Sequence, residues 1–191
     1  IAATGPPRGS PGRQCNALAG LLSVEELAKA DRLKKDPARL MSVVARGGLR
    51  VLLGAYTKQE PSRVVFKQQV GGKPMLESGE ISFNLAHSGD WVVWAFAASG
   101  EVGVDLEQLR ADVVYSRVVR RYFHPVEQQA LAEADDAVRL FFDMWAAKEA
   151  LVKASGRGVF AAMNEVELPL VAGAVPDATA VGDWFLRRVE A

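Results

Sequence analysis

The hexapeptide Val102-Gly103-Val104-Asp105-Leu106-Glu107 alternates apolar side chains with glycine and acidic side chains. This alternation is typical of a short β-strand, in which successive side chains point to opposite faces. Asp105 and Glu107 would then lie on one face, about 6.5 Å apart. Two carboxylates at that spacing can hold one hard cation, and Gly103 beside them would let a phosphate-bearing ligand approach the backbone. A solvated strand face with two ordinary acids explains the same pattern, so both interpretations stay open at this point.

The second informative stretch is an amphipathic helix predicted from about Ala137 to Ala154. Residues spaced by three and four positions share one face of such a helix. That face carries Phe142, Trp145, Glu149 and Lys153. An aromatic stripe that continues into an acid and a base can offer a third carboxylate to a cation and an ammonium to a phosphate. The alternative is a surface ion pair between positions i and i+4, worth about 0.3–0.5 kcal/mol.

Two residues before the hexapeptide are candidates for binding an anion. His87 closes the first strand of a predicted hairpin, Ile81–His87 paired with Trp91–Ala98. A histidine fixed at a strand–turn junction can donate a hydrogen bond to an anion, although a lone histidine is more often structural. Lys73 lies on the predicted turn Gly71–Pro74, where it can meet a phosphate as a point charge.

Length and composition bound the class of protein. The chain has 191 residues, 49% of them hydrophobic, which suits one large domain or two small lobes around a buried core. A single cysteine, Cys15, excludes an internal disulfide and fits a reducing compartment, so a cytoplasmic location is expected. No apolar run reaches the roughly 18 residues of a membrane helix. The formal net charge of zero argues against general nucleic-acid binding.

The zero net charge hides an asymmetry between the two halves. Residues 1–100 carry 13 Lys and Arg against 8 Asp and Glu, whereas residues 101–191 carry 10 against 15. A basic half beside an acidic half can place cations and carboxylates on either side of one cleft, which suits a polyanion bound together with a metal ion. Two lobes that simply attract each other explain the asymmetry equally well.

The first half shows helix signals before its hairpin. Residues 1–20 are rich in Gly, Pro, Ala and Arg, and we expect an irregular N-terminal arm there. Ser23 with Glu26 forms a capping-box pattern that begins a helix, and a second helix is predicted over Ala38–Tyr56. Each glycine of Gly47-Gly48 costs this second helix roughly 1 kcal/mol relative to alanine, which predicts close packing against another element.

The second half is predicted to continue with helices and to end in strands. Helices are expected over Ser116–Tyr122 and from about Pro125, ahead of the long amphipathic helix. The last predicted strands are Glu165–Leu170 and Asp183–Val189. This order of helices, hairpin, strand, helices and strands indicates an α+β fold with two lobes.

The order and spacing of the motifs resemble those of one family. The chain looks like the 4′-phosphopantetheinyl transferases of the Sfp type, over about residues 23–170. The motifs that carry the resemblance are Gly72-Lys73-Pro74, Phe83-Asn84-Leu85-Ala86-His87-Ser88, Gly103-Val104-Asp105-Leu106-Glu107, and Trp145-Ala146-Ala147-Lys148-Glu149-Ala150 followed by Lys153, Gly156 and Gly158.

The resemblance implies a fold, substrates and partners. The fold would be a pseudo-dimer of two similar α/β lobes with the active site in the cleft between them. We assign the N-terminal lobe to residues 21–100 and the C-terminal lobe to residues 101–191, so that a monomer suffices. The donor would be coenzyme A, the metal Mg²⁺, and the acceptor a serine of an apo acyl, peptidyl or aryl carrier protein. No nucleic-acid or membrane partner is implied.

The resemblance also assigns roles in catalysis. The metal ligands of the family fall on Asp105, Glu107 and Glu149. Glu149, or a water that it positions, would be the base for the carrier serine, and Lys153 would stabilise or protonate the leaving phosphate.

The coenzyme A contacts follow in the same way. The pyrophosphate-binding histidine falls on His87, and basic contacts fall on Lys73 and Lys153. Candidates for the adenosine 3′-phosphate are Lys29, Arg32, Arg39 and Arg46, of which Arg39 and Arg46 are retained. Ala86 departs from the family, which has a serine there, so one nucleotide contact is missing or is made by the backbone.

Two other functions fit the same residues. A Mg²⁺-dependent hydrolase of nucleotide pyrophosphates would use the same ligands to activate water. A non-catalytic carrier-binding module would keep the fold without the chemistry, although the joint presence of Asp105, Glu107, Glu149 and Lys153 argues against it. A carrier protein would dock on about Val113–Glu127, just after the hexapeptide.

Overall fold

The computed structural model describes residues 2–4, 11–69, 71–156 and 163–189. The described helices are α1 (Pro11–Ala19), α2 (Val24–Asp31), α3 (Asp36–Thr57), α4 (Ser116–Tyr122), α5 (Pro125–Glu133) and α6 (Ala137–Ser155), with 3₁₀ turns at Pro61–Arg63 and Met163–Glu165. The described strands are β1 (Ala2–Thr4), β2 (Phe66–Gln68), β3 (Pro74–Leu76), β4 (Ser82–Ser88), β5 (Trp91–Ala97), β6 (Ala178–Val181) and β7 (Trp184–Arg187). This mixture of helices and small antiparallel sheets confirms the predicted α+β class.

The core of the first half lies between α3 and a sheet with strand order β1-β5-β4. The predicted hairpin is confirmed as β4 and β5, paired from Ser82 opposite Ala97 to Ser88 opposite Trp91. The indole of Trp94 on β5 donates a hydrogen bond of 3.0 Å to the carbonyl of Ala45 on α3.

The two glycines of α3 are explained by close packing, as the sequence predicts. A Cβ at Gly48 would lie 2.7 Å from Cζ2 of Trp94, and a Cβ at Gly47 would lie 2.8 Å from Cβ of Leu18. Both distances are shorter than real Cβ contacts, so a larger side chain would push the sheet or α1 away from α3. The helix accepts the cost of glycine because its neighbours approach so closely.

The capping box at the start of α2 is also confirmed. The Ser23 amide donates to the Glu26 carboxylate over 2.9 Å, and the Glu26 amide donates to the Ser23 hydroxyl over 3.3 Å. The Glu26 carboxylate additionally accepts a hydrogen bond of 2.8 Å from the buried guanidinium of Arg50 on α3, which fixes α2 against α3.

The second half is built around α6, which packs on α5 and supplies more than half of the buried residues of this core. A fully buried ion pair, 2.9 Å long, joins Lys148 on α6 to Glu127 on α5. The Lys148 ammonium also donates to the carbonyls of Met163, over 2.8 Å, and Val166. Glu127 accepts the backbone amide of Leu168 over 2.9 Å. This network fixes the 163–168 segment to both helices.

Three local predictions are wrong. The arm is not irregular throughout, because Ala2–Thr4 pairs with β5 and Pro11–Ala19 forms α1, which packs on α3. The hexapeptide 102–107 is extended but forms no ladder with a strand of the described residues. The stretch Glu165–Leu170 begins at the end of a 3₁₀ turn and continues as irregular chain. Its Leu168 amide donates to the Glu127 side chain rather than to a strand. Residues 5–10 of the arm and the motif residue Gly158 lie outside the described residues.

Among the described helices, none combines the length and the apolar character that crossing a membrane requires.

Candidate active site

Side chains of β4, rather than the backbone of a neighbouring strand, bind the hexapeptide segment. The amide of Val104 donates to Oδ1 of Asn84 over 3.0 Å, and the amide of Gln108 donates to Oγ of Ser88 over 2.9 Å. Each pair is separated by 20 residues in the chain. The segment therefore runs in register with one face of β4. Polar side chains satisfy backbone amides that a strand ladder would otherwise satisfy, which explains why an extended segment is not part of a sheet.

Gly103 is required by the approach of α6. A Cβ at this position would lie 2.0 Å from the Ala150 carbonyl oxygen and 2.4 Å from the Ala154 amide nitrogen. No side chain fits there without moving the helix. The prediction that Gly103 leaves room for a ligand is therefore wrong: the room is taken by the last turns of α6.

This close contact brings the acidic residues of the hexapeptide to the charged face of α6. Nζ of Lys153 lies 2.5 Å from Oδ1 of Asp105 and 3.4 Å from Oε2 of Glu149. The side chains of Asp105, Glu149 and Lys153 are 4%, 16% and 22% exposed. Asp105 and Lys153 are 48 residues apart in the chain. The i,i+4 pair suspected from the sequence exists, and it is part of a larger cluster.

The carboxylates of the cluster outnumber its positive charges. Burial raises the pKa of Asp105 to about 7; Lys153 opposes this rise, and Glu149 and Glu107 add to it. Burial also raises the pKa of Glu107, with a further contribution from Glu149, whereas the hydrogen bond from Ser88 lowers it. Three carboxylates thus meet near the Lys153 ammonium, and Arg110 is a further positive charge that lowers the pKa of Glu107. Such an arrangement becomes more favourable when a further cation binds.

The chemistry of these residues fits a hard divalent cation. Oδ2 of Asp105 is buried and has no hydrogen-bond partner within the described residues. Carboxylate oxygens are the protein ligands that Mg²⁺ prefers. As they stand, however, no three His, Cys, Asp or Glu side chains of the described residues are spaced to hold one ion together. Magnesium binding by Asp105, Glu107 and Glu149 therefore stays a prediction.

A cavity of about 440 Å³ borders the cluster. Its lining includes the segment 101–107, with both Asp105 and Glu107, and β7 with the residues that follow it. The small side chains Ala146, Ala150 and Ala154 line it from α6. Asp105 and Glu107 thus border open space, whereas Glu149 and Lys153 are not among the residues that line this cavity.

Lys73 differs from its predicted role. Its ammonium donates to the Glu101 carboxylate over 2.7 Å and to the carbonyls of Val102 and Ala154 over 3.0 and 3.1 Å. The side chain is 7% exposed. An ammonium has three donors, and in this arrangement protein oxygens occupy all of them. These contacts do not support the predicted contact of Lys73 with a phosphate.

The other predicted phosphate contacts are not brought to the cluster by direct interactions. His87, the penultimate residue of β4, is exposed, and its side chain makes no hydrogen bond or ion pair within the described ranges. Arg39 is paired with Asp31 over 2.7 Å, and Arg46 with Glu26 over 3.3 Å. The roles of His87, Arg39 and Arg46 towards coenzyme A stay predictions.

Asn84 and Ser88 were missed as site residues by reasoning from sequence. Both belong to the motif Phe83–Ser88, in which only His87 was assigned a role. The alternation of a strand would have found them, because residues 84, 86 and 88 share a face opposite to that of His87. That polar face, interrupted by the small residue Ala86, is the one that meets the hexapeptide.

Comparison with known proteins shows which family the chain belongs to. Residues 101–191 match the model of the 4′-phosphopantetheinyl transferase superfamily, and residues 10–99 match that of the N-terminal part of a 4′-phosphopantetheinyl transferase. The 4′-phosphopantetheinyl transferase HetI of Nostoc sp. is 37% identical over 171 residues, which cover 86% of this chain and 71% of the relative. The chain belongs to the 4′-phosphopantetheinyl transferase superfamily. This confirms the resemblance drawn from the motifs and identifies the chain as a member of an enzyme family.

More distant relatives agree with this assignment. A putative 4′-phosphopantetheinyl transferase of Synechocystis sp. is 34% identical over 151 residues, which cover 76% of this chain and 61% of the relative. The 4′-phosphopantetheinyl transferase Sfp of Bacillus subtilis (strain 168) is 28% identical over 114 residues, 58% of this chain and 50% of the relative. The chain therefore spans only part of the length of these members of the superfamily.

Proposed function

We propose that the protein transfers the 4′-phosphopantetheine group of coenzyme A to a serine of an apo acyl, peptidyl or aryl carrier protein and releases adenosine 3′,5′-bisphosphate. The observation that carries this proposal is the meeting of Asp105, Glu149 and Lys153, of which Asp105 also lines an open cavity. Membership of the superfamily supports it. A monomeric state and a cytoplasmic location stay predictions from the sequence.

The finer architecture is part of the same proposal. Residues 21–100 and 101–191 would form two similar lobes, each with one long helix, α3 or α6, packed against small antiparallel sheets. The active site would lie in the cleft between them. The contacts from Asn84 and Ser88 to the hexapeptide support this arrangement, because they join the two proposed lobes directly beside the acidic cluster.

The residues of the cluster suit phosphoryl transfer. Positioning and charge neutralisation dominate catalysis of this kind. A carboxylate oxygen of Glu149 would accept the proton of the carrier serine hydroxyl as its oxygen bonds to the β-phosphorus of coenzyme A. The bridging P–O bond breaks, and the leaving oxygen stays on the 5′-phosphate of adenosine 3′,5′-bisphosphate. The Lys153 ammonium would donate to that phosphate, and His87 would bind the pyrophosphate from β4.

Asp105, Glu107 and Glu149 are the residues that would hold Mg²⁺. When bound, this ion neutralises charge on the pyrophosphate oxygens. The raised pKa values of Asp105 and Glu107 and the unpartnered Oδ2 of Asp105 support a cation at this place.

One experiment separates the proposed transferase from the two other functions. The protein is incubated with coenzyme A, magnesium and an apo carrier protein, and the carrier is then weighed by mass spectrometry. A gain of one phosphopantetheine on the carrier serine supports transfer. Release of adenosine 3′,5′-bisphosphate without a gain on the carrier points to a hydrolase, and the absence of both products points to a binding module. A parallel sample with a chelator in place of magnesium tests the metal requirement.

A further inference from the structure

Lys73 connects parts of the chain that the sequence keeps far apart. It lies on the turn between β2 and β3, and its ammonium reaches 28 residues ahead to the Glu101 carboxylate and 81 residues ahead to the Ala154 carbonyl. These two bonds are 2.7 and 3.1 Å long, and the third, to the Val102 carbonyl, is 3.0 Å long. One buried side chain therefore joins the β2–β3 turn, the start of the hexapeptide and the end of α6.

The acceptors of Lys73 lie directly beside the catalytic candidates. Ala154 follows Lys153 in the last turn of α6, and Val102 begins the hexapeptide that carries Asp105. Gly103 makes the close backbone contact with α6 between these two points. A change in the position of either carbonyl would move Asp105 relative to Lys153.

The end of α6 is a favourable place for this ammonium. The last carbonyls of a helix lack intrahelical partners and carry the negative end of the helix dipole. Lys73 donates to one of these carbonyls from outside the helix, next to Gly156, the left-handed residue that ends α6. The negative charge of Glu101 compensates the buried positive charge.

We propose that Lys73 is a positioning residue, which fixes the hexapeptide against the end of α6 and thereby sets the Asp105–Lys153 pair, and that it is not a phosphate ligand. The part of this inference that concerns catalysis rests on the proposed function. The part that concerns the hexapeptide does not, and it can be tested without any turnover.

The first test is hydrogen exchange of the free protein. Lys73→Met keeps the length of the side chain and removes the ammonium. We expect amide exchange across residues 101–108 to accelerate about tenfold or more, because a hydrogen-bonded charge is lost, while the β4–β5 hairpin keeps its protection. Lys67→Met is the matched control, since Lys67 forms an exposed pair with Glu77 on the neighbouring strand. Unchanged exchange over 101–108 in Lys73→Met would overturn the proposal.

The second test separates positioning from phosphate binding. Affinity for adenosine 3′,5′-bisphosphate is measured by calorimetry, and the kcat and KM for coenzyme A are measured per folded molecule. A positioning role predicts that Lys73→Met lowers kcat about tenfold or more and leaves both the affinity and the KM within about threefold. A phosphate ligand would show the reverse, with bisphosphate affinity falling about tenfold and kcat unchanged.

Glu101→Gln completes the test and also covers the case in which Lys73→Met does not fold. It removes the charge that compensates Lys73 and touches no other described side chain of the cluster. We expect a smaller acceleration of exchange over 101–108 than in Lys73→Met, and the double variant should match Lys73→Met because both changes affect one interaction. Additive effects of the two changes, or a gain in bisphosphate affinity from a freed Lys73, would contradict the proposal.

If the wild type transfers nothing, the proposed function fails, while the exchange results still decide the role of Lys73 in holding the segment.

Discussion

Two lysines on α6 each pair with a carboxylate, and the difference between the pairs separates structure from function. Lys148 and Glu127 are fully buried, and backbone groups around Met163 and Leu168 satisfy the rest of their hydrogen-bonding capacity. Lys153 is partly exposed and serves several carboxylates at once, and one buried oxygen of Asp105 has no described partner. The hydrogen-bonding groups of the first pair are satisfied within the protein, whereas the second pair leaves a carboxylate oxygen that a further cation can bind.

This contrast has a physical basis. A buried ion pair is tolerated when its geometry is good and its remaining donors and acceptors are satisfied. A cluster with excess negative charge is unfavourable without a ligand, and perturbed carboxylates of this kind concentrate at functional sites. The two arrangements lie on one helix only five residues apart, at Lys148 and Lys153.

Asp105→Asn should have the largest effect on activity. It removes one negative charge and keeps the shape, so we expect transfer to fall about a thousandfold at ordinary magnesium concentrations, with no loss of stability, because burial of that charge is unfavourable. Transfer is followed by the mass of the carrier, and stability by urea denaturation. Turnover near that of the wild type would remove Asp105 from the metal and catalytic assignments.

Lys148→Met should show the opposite pattern. It leaves the Glu127 carboxylate buried without its counter-ion, so we expect the free energy of unfolding to fall by about 3 kcal/mol, while the kcat of the folded fraction stays close to that of the wild type. Urea denaturation measures the first quantity, and rates normalised to folded protein measure the second. Adding Glu127→Gln should restore much of the stability, because the uncompensated charge is then gone while the side-chain amide oxygen can still accept the Leu168 amide. A specific loss of kcat in Lys148→Met would break the distinction between the two pairs.

Glu149→Gln tests the division of labour inside the cluster. The amide cannot accept the serine proton, so we expect kcat to fall about a hundredfold while the affinity for coenzyme A changes much less. Single-turnover rates and calorimetry with coenzyme A measure the two effects. If affinity falls and the rate at saturation does not, Glu149 is a binding group and not the base.

Local signals account for what the sequence predicted well. The capping box at Ser23, the hairpin of β4 and β5 and the long helix α6 each depend on residues close together in the chain, and all of them are found. Helix α1 was missed because the glycines and prolines around it favour irregular chain in residues 1–20; packing of Cys15 and Leu18 against α3 and its surroundings stabilises the helix.

The site shows where such signals end. Residue types and spacing identified Asp105, Glu149 and Lys153, because i,i+4 and i,i+2 spacings fix which side chains share a face. They could not show what Lys73 binds, since an ammonium has the same chemistry towards a phosphate and towards a carbonyl oxygen. Residue types and spacing also could not show that side chains of β4, rather than a partner strand, bind residues 102–107. Those hydrogen bonds join residues that are 20 positions apart in the chain.

Ser88→Ala should have the smallest effect and tests how tightly Glu107 is held. Ser88 accepts the amide of Gln108 over 2.9 Å and donates to Oε2 of Glu107 over 3.3 Å, so its hydroxyl orients the one carboxylate of the cluster without an ion pair to Lys153 among the described contacts. Since the Gln108 end of the segment is exposed and water can replace the lost bond, we expect stability to fall by only about 1 kcal/mol. We expect kcat to fall several-fold, about tenfold at most, with the magnesium requirement rising in parallel.

Rates measured across a magnesium titration distinguish this result from simple loosening of the fold, in which kcat would fall equally at every magnesium concentration. Ser82→Ala at the far end of β4 is the matched control, and an equal effect there would show that the hydroxyl of Ser88 has no particular role at Glu107.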